Sequence, residues 1–391
     1  MEIELKNLGT IITGNTPSKK DESYWDSADI CFVKPDGIAD EGITLINDSS
    51  EYISENARNK ARVVSKNAVL VTCIGTIGKI GIADSGNYAF NQQINAIEPN
   101  EKVLPRYLAY NLLYSRPRLV SLANAPVVPI INKTQFGDFI VNIEEDKTKQ
   151  VEIVSVLDKL TSIMETRKRE LASFDELIKA RFVEMFGDLA DPDCSWERHK
   201  LIDVCADSDD IKCGPFGTQL GKDEYTETGI AVWEIPQINS GFNTLPTHFI
   251  TNEKALALSA YSIKAGDIAM SRKGNVGRCA VFPARLQEGI IHSDVLRIRV
   301  DDSRIVPEFM MRQLHYSGDV QHQIELVSSG AIMAGINVTK LKQIFVYVPP
   351  KYLQEAFATF VSQVDKSKSA VQKALDETQV LFDSLMQEYF G

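Results

Sequence analysis

The chain carries the same helix ending twice. A long polar stretch ends at residues 182–187 in Phe-Val-Glu-Met-Phe-Gly, and residues 386–391 read Met-Gln-Glu-Tyr-Phe-Gly. This spacing is about half of the chain and far exceeds a solenoid repeat, so it predicts two copies of a globular unit followed by a long helix. A length of 391 residues also predicts more than one domain. We therefore expect a pseudo-twofold internal repeat.

The order of shorter landmarks recurs as well. Each copy contains a short apolar strand, a glycine loop (residues 72–79 and 271–278) and a second short strand. Each then has a helix with proline in its first turn, at Pro105 and Pro307. The pattern predicts an α+β fold with two strand-rich units. The segments between the landmarks differ greatly, which favours two binding sites with different preferences.

Each globular unit is followed by an amphipathic stretch with apolar residues in alternating steps of three and four. This heptad pattern predicts that the two helices pair as a coiled coil. The residues expected to pair them are Ile153, Leu157, Leu160, Met164, Leu171, Phe174, Ile178, Phe357, Val361, Val364, Val371, Leu375, Phe382 and Leu385. Arg167, Arg181, Lys368 and Thr378 interrupt the two stripes.

An antiparallel coiled coil with aligned midpoints places Arg167 near Leu375 and Lys368 near Phe174. The aliphatic stems of these cations can then cover the apolar partner. The alternative is that each helix packs only on its own globular unit. We favour the mutual coil because two matching stripes of equal length need a common surface.

Composition excludes several classes of protein. No apolar run approaches the roughly 18 residues of a membrane span, and residues 1–4 do not resemble a signal peptide, so we expect a cytoplasmic protein. The six cysteines form no CxxC pair, and the run Cys194, His199, Cys205, Cys213 matches no common metal spacing. We therefore predict no metal site.

The net charge of −11 argues against general attraction to nucleic acid. The charge is uneven, however. Residues 57–83 contain five basic and no acidic residues, and residues 264–299 contain seven basic and three acidic residues. These two basic segments occupy matching places in the repeats, and a local field matters more than the total charge for a binding face.

Several segments resemble the specificity subunits of type I restriction-modification systems. Residues 171–177 (Leu-Ala-Ser-Phe-Asp-Glu-Leu) and 182–188 (Phe-Val-Glu-Met-Phe-Gly-Asp) are similar to the central spacer helix of that family. Residues 349–354 (Pro-Pro-Lys-Tyr-Leu-Gln) and 363–368 (Gln-Val-Asp-Lys-Ser-Lys) are similar to its C-terminal spacer.

The openings of two target-recognition domains are also present. Residues 14–18 (Gly-Asn-Thr-Pro-Ser) resemble the first opening and residues 214–220 (Gly-Pro-Phe-Gly-Thr-Gln-Leu) the second. The resemblance covers the whole chain. It departs from the family at residues 143–146, where Ile-Glu-Glu-Asp replaces a proline-rich entry to the helix.

The resemblance implies four segments. These are target-recognition domain 1 (1–145), the central spacer helix (146–187), target-recognition domain 2 (188–348) and the C-terminal spacer helix (349–391). Each recognition domain is expected to read one half of a split, asymmetric site in double-stranded DNA. The helices are expected to set the spacing and to dock two methyltransferase (modification) subunits. Those subunits hold S-adenosylmethionine, so no cofactor is expected in this chain; restriction subunits can join the complex.

Basic side chains in glycine loops can approach phosphates, and Arg, Lys, Asn, Gln, Ser, Thr and His can reach base edges. In the first domain the expected DNA-binding residues are Asn15, Ser18, Lys19, Lys79, Asn91, Gln92 and Gln93. In the second they are Lys212, Thr218, Gln219, Arg272, Lys273, Asn275, Arg278, His292 and Ser293. We expect Phe216 and Trp233 to be core residues rather than base-stacking groups.

Catalytic motifs are missing from the sequence. There is no Asn-Pro-Pro-Tyr/Phe motif, no Walker loop and no glycine-rich cofactor loop in a strand–helix setting. We predict a non-catalytic specificity subunit. The main alternative is a two-headed structural or scaffold protein that binds protein partners. A third is an enzyme that acts on nucleic acid by itself.

Overall fold

The structure is a computed structural model that describes residues 1–123, 128–189, 191, 194–328 and 335–391. The contacts divide the chain into two compact units. Unit 1 consists of Met1–Arg169 and Gln372–Gly391, and unit 2 of Glu170–Val371. Each unit therefore combines one globular half of the sequence with part of both long helices.

Unit 1 contains short strands and few helices. Its strands are β1 (Glu2–Glu4), β2 (Gly9–Thr13), β3 (Ile30–Val33), β4 (Ile43–Ile46), β5 (Tyr52–Ile53), β6 (Val63–Ser65), β7 (Val69–Thr72), β8 (Ile80–Ala83), β9 (Asn87–Phe90), β10 (Ile94–Pro99) and β11 (Ile140–Asn142). Its helices are α1 (Pro105–Tyr114), α2 (Arg116–Leu122), α3 (Lys133–Gly137) and the first part of α4 (Lys147–Phe186). Single 3₁₀ turns lie at Leu5–Asn7, Glu22–Tyr24, Pro35–Gly37 and Glu55–Ala57.

The strands of unit 1 form three sheets. A five-stranded sheet has the order β2-β10-β7-β8-β4, a four-stranded sheet has the order β5-β3-β9-β6, and β1 pairs with β11. Within the four-stranded sheet β3 and β9 run parallel. The main core of the unit packs the five-stranded sheet, through Val69 and Ile80, against Leu108 of α1.

Unit 2 has the same kinds of element. Its strands are β12 (Glu197–Lys200), β13 (Ile211–Cys213), β14 (Ile230–Trp233), β15 (His248–Ile250), β16 (Ser262–Ile263), β17 (Ile268–Ser271), β18 (Cys279–Val281), β19 (Gly289–Ile291), β20 (Val295–Ile298) and β21 (Phe345–Val348). Its helices are α5 (Ile235–Asn239), α6 (Asn252–Ala257), α7 (Pro307–Tyr316), α8 (Gly318–Ser328), α9 (Val338–Leu341) and the first half of α10 (Lys351–Phe390). Single 3₁₀ turns lie at Leu201–Val204, Lys222–Glu224 and Ser259–Tyr261.

The sheets of unit 2 repeat those of unit 1, except that among the described residues no strand of unit 2 corresponds to β4, so its first sheet has four strands instead of five. The orders are β13-β20-β17-β18, β15-β14-β19-β16 and β12-β21. Here β14 and β19 form the parallel pair, as β3 and β9 do in unit 1. The predicted repeat of strand-rich units is therefore confirmed, and it extends to the direction of individual strands.

The predicted glycine loops connect the matching antiparallel strands β7–β8 and β17–β18. Gly75 and Gly78 have φ of 77° and 79°, and Gly274 and Gly277 have φ of 69° and 83°. Side chains with a Cβ rarely adopt this left-handed conformation, so both loops need glycine at these two places.

The long helices pair within unit 1. Leu157 of α4 is buried in one cluster with Phe382, Met386 and Phe390 of α10, and Ile153 packs against the same cluster. The early part of α4 thus meets the late part of α10, which is an antiparallel arrangement. The Arg167 guanidinium donates to the Ala374 carbonyl and the Thr378 hydroxyl, on either side of Leu375.

They pair in unit 2 with the same polarity. Ile178 and Phe182 of α4 are buried with Phe357 and Val361 of α10. Lys368 contacts Asp175, the neighbour of Phe174, at 2.7 Å. The mutual coil is confirmed, and both cations bond to residues next to the predicted apolar neighbours Leu375 and Phe174. That their aliphatic stems cover those neighbours stays a prediction. The helices also pack on the globular cores. Packing of a helix on a globular unit, the alternative to the mutual coil, therefore occurs in addition to it. The predicted domain boundaries stay a prediction.

A buried glutamine joins each long helix to its own unit. The Gln150 amide donates to the carbonyls of Lys102 and Glu144 and accepts from the backbone N–H of Leu104. Gln354 makes the same three bonds, to Arg304, Pro349 and Val306. Leu104 and Val306 are the N-caps of α1 and α7, which have proline at their first position as predicted. The sequence analysis did not predict these hydrogen bonds.

Candidate nucleic-acid interface

Each unit brings two polar segments together at the end of its parallel strand pair. A Cβ on Gly14 would lie 2.2 Å from the Asn91 carbonyl oxygen, and a Cβ on Gly214 would lie 2.3 Å from that of His292. The missing side chain therefore lets residues 14–19 lie against the segment after β9, and residues 214–220 against the segment after β19. These are the segments in which the sequence predicted most of the DNA-binding residues.

In unit 2 a row of ionisable side chains crosses this surface. The Lys273 ammonium lies 2.9 Å from Asp294, whose other carboxylate oxygen lies 3.9 Å from His292 Nδ1. His292 Nε2 is 4.0 Å from Glu234 Oε1. Because a carboxylate only accepts, His248 Nδ1–H donates to Glu234 Oε2, at 2.7 Å. The glycine loop and the ends of β14 and β19 thus contribute to one surface.

A cavity of about 820 Å³ opens beside this row. Its walls are Pro215, Gly217, Leu220, Gly221, Lys222, Tyr225, Glu234, His248, His292 and Ser293. The Tyr225 ring lies 4.6 Å from the His248 ring, tilted by 30°. The cavity therefore combines an aromatic wall with hydrogen-bonding groups, which is what recognition of a base or a sugar requires.

Aromatic rings and cations alternate next to the cavity. The Arg272 guanidinium lies 5.4 Å above the Phe216 ring and donates to the Ile336 carbonyl. Lys212 lies 5.7 Å above the Tyr261 ring and pairs with Asp209. These rings hold the long cationic side chains in place, which lowers the entropy cost of presenting them to a ligand.

The two aromatic predictions had different outcomes. Trp233 is buried, as expected, against Phe242 and Phe282. The prediction for Phe216 is wrong, since its side chain is 53% exposed. Phe216 lies in a loop whose backbone follows Gly214, and the ring covers Arg272 instead of joining the core.

The remaining predicted residues of unit 2 lie near the same loops. Gln219 Oε1 accepts from the Tyr261 hydroxyl at 2.9 Å, Thr218 is exposed, and Ser293 lines the cavity. Asn275 is exposed in the glycine loop, and Arg278 donates to the Asn239 carbonyl. All these residues are available at a surface.

Lys79 of unit 1 has an internal role. Its ammonium donates to the carbonyls of Pro35 and Ile38 and lies 3.0 Å from Asp40, and its side chain is only 12% exposed. The counterpart loop of unit 2 instead exposes Arg278. A phosphate contact at Lys79 would require these three bonds to break.

The other predicted residues of unit 1 form short polar contacts around Gly14. Asn91 donates to Gln93 Oε1 at 2.8 Å, and Gln92 accepts from Thr16 at 3.0 Å. Asn15 donates to the Lys60 carbonyl, and Ser18 accepts from the backbone N–H of Lys20. Lys19 lies 5.3 Å above the Trp25 ring. The structure brings these segments together, while their contact with DNA stays a prediction.

Part of the second basic segment serves the core. Arg297 is 4% exposed and donates to the carbonyls of Ala260, Ser262 and Asp209. Arg299 forms two bonds of 2.7 Å with the buried Asp267. The number of cations that face solvent in residues 264–299 is therefore smaller than the seven basic residues of that segment.

The sequence analysis missed Lys34, Glu234 and His248. Alignment of the repeats on Gly14 and Gly214 places Lys34 opposite Glu234, each directly after an apolar strand. A reversed charge at matched strand ends is the signal that identifies them.

The structure shows neither a metal-ligand cluster nor a membrane-spanning helix in the residues that it describes. Among the residues it describes, no group of three or more His, Cys, Asp or Glu side chains converges in a way that could hold a metal ion. In the same part of the chain, no helix is long and apolar enough to cross a membrane.

Comparison with known proteins gives the family. The model of the type I restriction modification DNA specificity domain matches residues 1–173 and 195–378. The chain belongs to this family. The repeated match follows the repeat of the fold, one copy in each half of the sequence.

Relatives of this specificity family member cover it to different extents. The specificity subunit of the type I restriction enzyme MjaIX of Methanocaldococcus jannaschii is 21% identical over 414 residues, 98% of this chain and 90% of that protein. The HindI specificity subunit of Haemophilus influenzae is 32% identical over 109 residues, and the match spans only 23% of that relative. The solved S subunit of a type I system from M. genitalium has a similar fold, with a TM-score of 0.60, 15% identity and coverage of 100% of this chain and 96% of that chain.

These findings support a role as the DNA sequence-specificity subunit of a type I restriction-modification system. They do not favour the scaffold alternative.

Proposed function

We propose that each unit reads one half of a split, asymmetric DNA sequence and that the long helices set the spacing between the halves. The observation that carries the proposal is the repeated frame with different polar groups on it. Gly14 and Gly214 hold equivalent loops against equivalent strand ends, yet Asn91 stands where the other unit has His292. One frame with two sets of side chains is suited to two unlike half-sites.

The proposal assigns catalysis to other subunits. This chain would bind DNA in the cytoplasm, without a metal or cofactor of its own. Two methyltransferase subunits carrying S-adenosylmethionine would modify the DNA, and restriction subunits would join the complex. The coiled coil offers them apolar contacts, since Val156 and Ile163, seven residues apart on α4, are 38% and 42% exposed.

Mapping of methylated bases tests the division of labour. Cells that carry this gene with its methyltransferase gene should show a split motif that is absent without this gene. Replacement of residues 1–145 by the equivalent domain of a relative should change one half of the motif only. A change in both halves would contradict the proposal.

A salt titration tests the DNA surface of unit 2. Arg272→Ala with Arg278→Ala should weaken DNA binding by the assembled methyltransferase and reduce the slope of log affinity against log salt. Arg304→Ala is the matched control, because Arg304 is exposed and donates to the Asp203 carbonyl outside this surface. An unchanged slope in the double variant would remove both arginines from the interface.

Co-purification tests the docking surface. Ile163→Glu should reduce recovery of the methyltransferase subunit with this chain, because it places a charge in the exposed apolar line. Ser162→Glu, at the adjacent exposed residue, should have little effect. Equal recovery with both variants would exclude this line as the contact.

A further inference from the structure

The two units carry opposite charges at one equivalent place. Lys34 directly follows β3, and Glu234 directly follows β14, the strands that run parallel to β9 and β19. Asn91 and His292 are the first residues after β9 and β19. The two charged residues therefore stand at the same end of the same strand pair, beside the loops that begin at Gly14 and Gly214.

The residue that bonds to this charged side chain also changes from acidic in unit 1 to basic in unit 2. Lys34 bonds to Glu51, and Glu234 bonds to His248. Glu51 comes one residue before Tyr52, which pairs with Cys31; His248 comes one residue before Phe249, which pairs with Ala231. The partners are thus equivalent too. The Lys34 ammonium is the main cause that lowers the pKa of the Glu51 carboxyl, in keeping with a close ion pair.

Both groups keep hydrogen-bonding capacity for a ligand. Glu234 Oε1 lies 4.0 Å from His292 Nε2, too far for a hydrogen bond, and the side chain lines the 820 Å³ cavity. The Lys34 ammonium has three N–H donors, and its side chain is 29% exposed. An ion pair with this exposure contributes little to stability, so its geometry can adjust to a ligand.

We propose that Lys34 and Glu234 read base edges of opposite polarity at the same step of the two half-sites. Lys34 donates to the acceptors of a guanine, O6 and N7, and Glu234 accepts from the exocyclic amino group of a cytosine. The inference rests on the proposed function, because it concerns how each unit distinguishes bases.

The negative charge of Glu234 argues against a contact with a DNA phosphate. A carboxylate is repelled by phosphate, so a Glu at a DNA surface contributes through a base amino group. Removal of such a contact should therefore change the preference at one base pair. Removal of a phosphate contact or a structural contact would instead weaken binding to every sequence alike.

The experiment uses the complex of this chain with its methyltransferase subunits and S-adenosylmethionine. The substrates are duplexes with the mapped motif and with each single base-pair change in it. Glu234→Gln should slow methylation of the motif duplex roughly tenfold to hundredfold and reduce the preference at one base pair of the half-site read by unit 2. Lys34→Met should act in the same way on the other half-site.

Matched controls are Glu197→Gln and Lys6→Met. Glu197 of β12 pairs with His199, and Lys6 pairs with Asp138, away from the strand ends that carry Glu234 and Lys34. Both controls should leave every base preference unchanged. An equal loss on all duplexes in Glu234→Gln, or unchanged preferences at every base pair, would overturn the proposal.

A double variant decides the question if Glu234→Gln fails to fold. Glu234→Lys with His248→Glu transfers the Lys34–Glu51 pair to unit 2 and retains an internal ion pair. The preferred base at one step of that half-site should become guanine, and a retained wild-type preference would overturn the proposal. If the proposed function itself were wrong, the result would differ, because the wild-type complex would then methylate no split motif.

Discussion

Units 1 and 2 share the buried contacts that anchor their long helices and differ in the polar side chains at the ends of their parallel strands. Gln150 and Gln354 are fully buried and make the same three bonds to the start of α1 and α7. At the strand ends, Asn91 in unit 1 is replaced by His292 in unit 2, and Lys34 by Glu234. The comparison separates a constant frame from a variable surface.

The energies of these contacts explain the separation. A buried polar group that loses its partner costs about 1–3 kcal/mol, so the glutamines cannot change without loss of stability. Exposed ion pairs such as Lys19–Glu51, with side chains 64% and 33% exposed, contribute little and can be replaced freely. Recognition can therefore diverge on a fold that stays the same.

The largest expected effect concerns the buried glutamines. Gln354→Leu leaves the Val306 N–H and the carbonyls of Arg304 and Pro349 without their partner, and we expect a loss of about 3–5 kcal/mol in unfolding free energy. Gln150→Leu should cost the same in unit 1. Hydrogen exchange, read at Val306 and Leu104 separately, measures each effect.

Gln363→Leu is the control for these variants, because Gln363 lies exposed on the same helix as Gln354. It should change stability by less than about 0.5 kcal/mol. A large difference between the costs of Gln150→Leu and Gln354→Leu would break the equivalence of the two frames.

The second effect concerns the glycine that seats the recognition loop. Gly214→Ala places a Cβ 2.3 Å from the carbonyl oxygens of Ile291 and His292, so the loop must shift, at a cost of about 1–3 kcal/mol. We expect weaker DNA binding and loss of discrimination in the half-site of unit 2. Gly318→Ala, at the start of α8 and with open space around the new Cβ, should have no such effect. Equal DNA binding by both variants would show that the loop is not held there.

Much of this frame could be predicted from the sequence. The heptad spacing predicted the pairing of α4 with α10, and midpoint alignment placed Arg167 and Lys368 correctly, because helix geometry is regular over many turns. The glycine loops and the proline-led helices were also recognisable, since Gly and Pro act through local backbone preferences. The repeat of each pattern strengthened both predictions.

The surface was less predictable because its contacts join distant segments. Lys79 reaches the carbonyls of Pro35 and Ile38, and Arg297 reaches Ala260 and Ser262. Residue type alone does not distinguish such internal cations from exposed ones like Arg278. Phe216 is exposed for a similar reason, since its loop path depends on the close approach of Gly214 to β19.

A third, smaller effect compares the coil in the two units. Arg167 is half-buried and donates to the buried Thr378 hydroxyl, whereas Lys368 and Asp175 are 32% and 56% exposed. Arg167→Ala should cost about 1–2 kcal/mol, and Lys368→Ala less than about 0.5 kcal/mol. Urea unfolding measures both. Equal costs would mean that the seam is uniform and that burial does not set the value of its polar contacts.

The smallest effect distinguishes the units by pH. His315 of α7 stands where α1 has Leu113, and its Nε2 accepts from the Cys279 N–H at 3.0 Å. Burial, with lesser contributions from Arg312 and Arg278, lowers the pKa of His315 from 6.5 to about 4. Between pH 6.5 and pH 4 the imidazole of His315 is therefore protonated in the unfolded chain but neutral in the folded chain. The contribution of the neutral His315 to the free energy of unfolding is complete above pH 6.5 and decreases as the pH falls towards 4. We expect protonation of His315 to cost unit 2 about 1 kcal/mol of stability between pH 7 and pH 5.5. His315→Leu introduces the residue that unit 1 has at this position. It should remove the pH dependence of hydrogen exchange in α7, whatever its effect on stability at pH 7. An unchanged pH dependence would assign it to other groups.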